Sequence, residues 1–241
     1  MASKTPAAFQ VQQTRKRLDQ FSVDLEAAIN HATKFSPYRK TAVVAFHWDN
    51  DDIGVEPLEG ELLGVFRFVF GFEIESFSIP VEDSQRMLLE YLVSWSRRHS
   101  ADNTLRIFVY SGHAICPRTF ASRWYLGGQF NPHTGGLKGP SVDWWAVQGY
   151  LEELKGDACY IFDCCYPQSG VLGAYDGPEF MAASVWDQAV TPSTNLSFTR
   201  ILIDELRQLN GQSETLASIY SRVFSCAQLN QSLKAAAGHK E

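Results

Sequence analysis

The feature that most constrains this chain is TAVVAF at 41–46, a run of small, β-branched and aromatic apolar residues that gives way at once to His47-Trp48-Asp49-Asn50-Asp51-Asp52. A strand with one wet face alternates polar and apolar residues. An unbroken apolar run of this length reads instead as a strand covered on both faces, its carboxyl end opening into a polar loop. TLRIFVY at 104–110 and ACYIFDC at 158–164 repeat that grammar, and FEIESFSI at 72–79 and EFMAASV at 179–185 are further strand candidates. Between them lie segments of helical period. One covers 58–70, and another runs from Pro80, with Glu82, Asp83 and Ser84 as start signals, to about His99. A third covers 141–154, opening at Pro140 or Ser141, and a fourth runs from about Ser197 to Gln208. Strand and helix alternating at this pace predict βαβ units, a mostly parallel sheet and an α/β fold.

Two stretches depart from the alternation. Residues 7–33 carry Phe9, Val11, Leu18, Phe21, Val23, Leu25 and Ala28 near helical period until Pro37, which predicts an N-terminal helical arm over 1–38 ahead of a domain over 39–241. Residues 115–140 hold Gly127, Gly128, Gly135, Gly136 and Gly139 around Arg123-Trp124-Tyr125-Leu126, a composition for a hairpin or long loop at the sheet's edge. From Ser213 onward the tail has helical character in LASIYSRVF, and no final strand is recognisable after it.

Composition excludes several classes of function. The net charge of −6 is spread along the chain, whereas a nucleic-acid surface shows as a basic domain or stripe. No apolar run approaches the ~20 residues that cross a bilayer, so no membrane association is expected. The N-terminal MASKTPAAFQ has no apolar signal core. The five cysteines, Cys116, Cys159, Cys164, Cys165 and Cys226, are odd in number and show no framework spacing. Reduced thiols and a cytoplasmic setting are the expectation. With no CxxC pair and no histidine at ligand spacing, a structural zinc site is not expected.

Ligands of open parallel sheets bind outside the carboxyl ends of the strands. Two strand ends here carry reactive groups: Tyr110-Ser111-Gly112-His113-Ala114 after IFVY, and Asp163-Cys164-Cys165-Tyr166 after CYIF. If these strands are neighbours, an imidazole and a thiol share one rim. A thiol needs that help, because the thiolate is the nucleophile and an unassisted cysteine is mostly protonated at neutral pH. His113 precedes Cys165 by 52 residues, close to the roughly 50 of the caspase arrangement, although Gln-Ala-Cys is absent.

On these residues the chain resembles the caspase and metacaspase superfamily of cysteine peptidases. Tyr110-Ser111-Gly112-His113 is similar to its Tyr-Ser-Gly-His-Gly motif, and Asp163-Cys164-Cys165-Tyr166 to the metacaspase Asp-Ser-Cys-His motif. WDNDDIGVEPLEGELL at 48–63 and SFTRILIDEL at 197–206 extend the likeness toward the caspase-like domains of fungal proteins, over roughly residues 40–210. The resemblance implies a three-layer α-β-α sandwich around a mostly parallel sheet. It implies Cys165 as nucleophile, His113 as general base and acid, and the N–H groups of Cys165 and of Gly112 or a neighbour as oxyanion hole. Asp163 matches the metacaspase position that lines a pocket for Arg or Lys in a protein or peptide substrate, and Asp51 or Asp52 would complete that pocket. No cofactor is implied beyond the calcium that some metacaspases require. The cluster of Asp49, Asp51 and Asp52 lacks the glycine and closing glutamate of an EF-hand, so no metal site is assigned to it.

Two departures bear on activity. Ala114 stands where the motif has glycine, and Pro167-Gln168-Ser169-Gly170 lengthens the turn behind the nucleophile. They favour an alternative: a catalytically silent caspase-like module whose partners sit in a cell-death or immunity-type signalling complex. Among the other candidates, Cys164 should point into the core opposite Cys165, and Cys159 should be buried. His47 and His133 read as loop histidines. Trp124, Trp144 and Trp145 read as packing against the sheet rather than as a wall of the site.

Overall fold

The structure, a computed structural model, describes residues 38–116, 123–164, 178–183 and 197–237. The N-terminal arm, Cys165 and the turn at Pro167–Gly170 lie outside the described residues. Along the chain run β1 (Lys40–Trp48), α1 (Glu56–Phe68), β2 (Glu73–Ile79), α2 (Ser84–Arg98), β3 (Thr104–Ser111), β4 (His113–Ile115), β5 (Tyr125–Asn131) and β6 (Gly136–Asp143). They are followed by α3 (Trp144–Glu152), β7 (Asp157–Asp163), β8 (Glu179–Ala182), α4 (Phe198–Leu209) and α5 (Leu216–Ala237).

Five strands form one sheet in the order β2-β1-β3-β7-β8, every pair parallel. Successive side chains of a strand point to opposite faces, and both faces are covered here. Val43, Ala45, Ile107, Val109, Cys159 and Ile161 pack on one side with Leu62 and Phe66 of α1 and Ile201, Leu202 and Leu206 of α4. Val44, Phe46, Phe108, Tyr110, Tyr160 and Phe162 pack on the other with Leu88, Leu92 and Trp95 of α2 and Val147 and Leu151 of α3. This double burial is why β1, β3 and β7 read as unbroken apolar runs, and it gives the three-layer α-β-α sandwich.

The second face is the aromatic one. Phe46 stacks on Trp144 at 5.6 Å, and Trp144 meets Phe162 at 4.9 Å. Trp124 and Trp144 are buried there, as expected, whereas Trp145 is half exposed. Arg106, fully buried in β3, donates to the carbonyls of Leu151, Leu154 and Gly156 and so satisfies the end of α3 and the turn into β7.

The glycine-rich stretch is a second, antiparallel sheet in the order β4-β5-β6. One expectation is corrected here. Pro140 and Ser141 do not open a helix, because Ser141, Val142 and Asp143 pair with Gly127, Leu126 and Tyr125 as the end of β6. The helix starts only at Trp144, and Gln85 of α2 fixes the junction: its Oε1 accepts the Asp143 N–H at 2.7 Å and its Nε2 donates to the Asp143 carbonyl at 3.4 Å. The helical tail is present as α5, and no strand follows it among the described residues.

Candidate active site

β3 and β7 lie side by side, and their register pairs Ser111 with Asp163. The chain beyond each therefore leaves the same carboxyl rim of the sheet. The Gly112 N–H donates to the Asp163 carbonyl at 3.2 Å, which extends the ladder one residue past the strand. Glycine is required at this turn: its φ is +151°, and a Cβ would come within 2.7 Å of the Tyr110 hydroxyl oxygen. That hydroxyl donates to the His113 carbonyl at 2.7 Å and lies 3.3 Å from the Gly127 carbonyl. Burial pushes the Tyr110 phenol well above its ordinary value, so the O–H persists as a donor and pins the backbone of His113.

His113 opens β4 opposite Gly127 of β5. Its imidazole is 14% exposed, and Nε2 stands 2.6 Å from Oδ1 of Asp52 in the loop between β1 and α1. The Phe130 ring stacks on it, centroids 5.6 Å apart and planes inclined by 26°. Asp52 is itself held: its Oδ2 accepts the Phe130 N–H at 3.3 Å, and its own N–H donates to the Gly128 carbonyl at 3.2 Å. The loop reaches β5 this closely because residue 128 is glycine. A Cβ there would run into Asn50 Oδ1 and sit 2.9 Å from Cβ of Trp48.

The remaining carboxylates face other partners. Asp51 turns toward the start of α1, accepting the N–H groups of Gly54 at 2.6 Å and Val55 at 3.0 Å. Asp163 is directed at the first turn of α4, where Oδ2 accepts the Thr199 hydroxyl at 2.5 Å and its N–H at 3.3 Å. Burial raises the Asp163 carboxyl above its ordinary value, against the lowering pull of the two Thr199 bonds. Ser197 caps the same helix through the Arg200 N–H, and Arg200 and Arg207 both bind Glu61 of α1. These arginine contacts, Arg200 first, hold the Glu61 carboxyl below its usual range. Asp51, Asp52 and Asp163 are therefore each engaged with a different partner, at or beyond the carboxyl ends of β1 and β7.

Cys164, the residue before Cys165, is buried on the aromatic face, as alternation along the strand requires. Cys159 is buried as well, and burial drives its thiol far above the ordinary value, which leaves it inert. His47 is occupied: Nδ1 lies 3.0 Å from Oε1 of buried Glu59, which also accepts the Ser76 hydroxyl. His133 is exposed in the hairpin between β5 and β6. Among the described residues no group of three or more His, Cys, Asp or Glu is placed to hold a metal ion. Two features escape the sequence reading, the bond from Asp52 to His113 and the Phe130 ring. Their sequence trace is the pair Gly127-Gly128, which marks a backbone that something approaches closely.

No protein-family model matches the chain, and no curated protein matches it. Among solved structures it is similar to the Drosophila initiator caspase Dronc, with a TM-score of 0.50 and 13% sequence identity over 79% of this chain and 73% of that one. The five-stranded parallel sheet between helical layers is a caspase-like fold.

Proposed function

We propose that the chain is a cysteine endopeptidase of caspase or metacaspase type, with Cys165 as nucleophile and His113 as general base and acid. The observation that carries the reading is the register of β3 on β7 in a caspase-like fold. It brings the segment ending in His113 and the strand that leads into Cys165 to one rim. His113 takes the thiol proton, and the thiolate attacks the scissile carbonyl to form the carbon–sulfur bond. His113 then returns the proton to the leaving amine as the peptide bond breaks, and water hydrolyses the thioester. The oxyanion would be met by the Cys165 amide and one amide of the turn from Gly112 to Ala114. The Gly112 N–H is engaged with the Asp163 carbonyl, which favours its neighbours for that role.

Asp163 is the carboxylate proposed for recognition of Arg or Lys before the scissile bond. Asp51 and Asp52 contribute negative potential on the same side of the sheet. A second reading has one specific observation in its favour. With the Gly112 amide committed and Ala114 buried in β4, the rim is also compatible with a catalytically silent module that binds signalling partners.

Fluorogenic peptides ending in Arg, Lys or Asp separate these readings, assayed with the wild type and Cys165→Ala, with and without millimolar calcium. Cleavage after Arg or Lys that disappears in Cys165→Ala supports the peptidase and the role of Asp163. Cleavage after Asp keeps the peptidase and removes that role. Absence of turnover under every condition favours the silent module.

A further inference from the structure

We propose that Asp52 is a positioning residue that turns the pair of His113 and Cys165 into a triad, by fixing the His113 imidazole with its hydrogen on Nε2. The inference rests on the peptidase reading above and assigns Asp52 to the base rather than to the substrate pocket.

A carboxylate only accepts hydrogen bonds, so the 2.6 Å approach of Asp52 Oδ1 requires the hydrogen to sit on His113 Nε2. In a neutral imidazole the other nitrogen, Nδ1, then carries the lone pair that can receive the thiol proton. When Nδ1 is protonated the ring becomes a cation, and its charge stands next to Asp52 without any rearrangement. The proton moves from sulfur to Nδ1 and later from Nδ1 to the leaving amine. Asp52 exchanges none.

The carboxylate is built in rather than resting on the surface. Oδ1 is bound to His113, Oδ2 to the Phe130 N–H, and the Asp52 N–H to the Gly128 carbonyl. The imidazole is restrained in turn by the stacked Phe130 ring, and its backbone by the Tyr110 hydroxyl. The other charged groups of the packed elements point elsewhere. Asp51 of the same loop binds the Gly54 and Val55 amides, Asp163 at the end of β7 binds Thr199, and β5 presents the uncharged Phe130.

The test compares the full chain with Asp52→Asn, Asp52→Ala and Asp52→Glu in kcat and KM for Arg, Lys and Asp peptides. Beside it stands proton NMR of the His113 Nε2 hydrogen, assigned with His113→Gln. Asp52→Asn, nearly identical in shape, should lower kcat by about 10²- to 10⁴-fold, with KM changed by less than about threefold and the choice of peptide unchanged. Asp52→Glu should recover part of kcat. The wild type should show a far-downfield, slowly exchanging Nε2 hydrogen that Asp52→Asn and Asp52→Ala lose. A higher KM and lost preference for Arg and Lys at unchanged kcat would make Asp52 a pocket residue and overturn the proposal. So would a wild type without the downfield hydrogen. If no peptide turns over, the peptidase reading fails on the assay, while the NMR signal still decides whether Asp52 holds His113.

Discussion

The two ends of the rim are held by different kinds of contact. His113 is fixed by side chains from segments far apart in sequence: Asp52, 61 residues away, and the Phe130 ring. Asp163 is fixed by a helix terminus, through the N–H and hydroxyl of Thr199 in the first turn of α4. A helix N-terminus presents unpaired N–H groups and a positive dipole end, so it receives a carboxylate almost regardless of side-chain detail. The histidine end has no such backbone device and depends on individual residues. It should therefore be the end at which removing one functional side chain costs most activity and least stability.

His113→Ala is the strongest way to test that contrast. Turnover should fall by about 10³-fold or more. The fold should persist, since the Tyr110 hydroxyl and the pairing with Gly127 both engage the backbone at this residue. Thermal unfolding beside the peptide assay checks both halves of the statement. Gly128→Ala should strike the same end from a distance. The new methyl meets Asn50 and Trp48, the loop carrying Asp52 must shift, and about 1–3 kcal/mol of stability should be lost together with a drop in kcat.

At the other end the order of effects should reverse. Asp163→Ala leaves the Thr199 donors unmatched and should lose about 1 kcal/mol, read from denaturant unfolding. Asp163→Asn keeps an acceptor for Thr199 and should be as stable as the wild type or more so. Because burial raises the Asp163 carboxyl, the folded state favours the protonated form. The contribution to stability is greatest below the ordinary value of about 3.9 and declines as pH rises through the raised value. Asp163→Asn removes that decline, and it should also remove the preference for Arg and Lys peptides.

The smallest effect belongs to the pair beneath the loop. The Glu59 hydrogen bond raises the His47 pKa against the cost of burial. The charged pair therefore supports the fold fully below about pH 6.5, and that support is lost as pH rises through the raised value. His47→Gln should flatten the melting temperature above pH 6.5 and leave the profile below it merely lower.

The sequence was most legible where one rule governs the whole segment. The three central strands β1, β3 and β7 are buried on both faces, the edge strands β2 and β8 are only partly buried, and four of the helices between and after them keep a helical period, so each was readable apart from its ends. Of the small sheet only a hairpin or long loop was readable, which β5 and β6 form as an antiparallel pair, and not its individual strands. β4 has three residues, and β5 and β6 hold glycines and polar residues whose pairing is set by the partner strand rather than by their own preference. Ser141 shows the same competition, since helix-start chemistry lost to the pairing with Gly127. In the site, His113 and Asp163 could be placed because they end apolar runs. The partner of Asp52 could not, because a contact across 61 residues leaves no local periodicity.

The most direct measurement of the central claim is the rate at which an iodoacetamide-type probe labels Cys165 at neutral pH, mapped by mass spectrometry in the wild type and in His113→Ala. Cys165 should be labelled at least about tenfold faster than Cys226, whose thiol is raised by burial and by Glu205, and should lose that advantage in His113→Ala. Equal rates for Cys165 and Cys226 in the wild type would contradict an activated nucleophile on this rim.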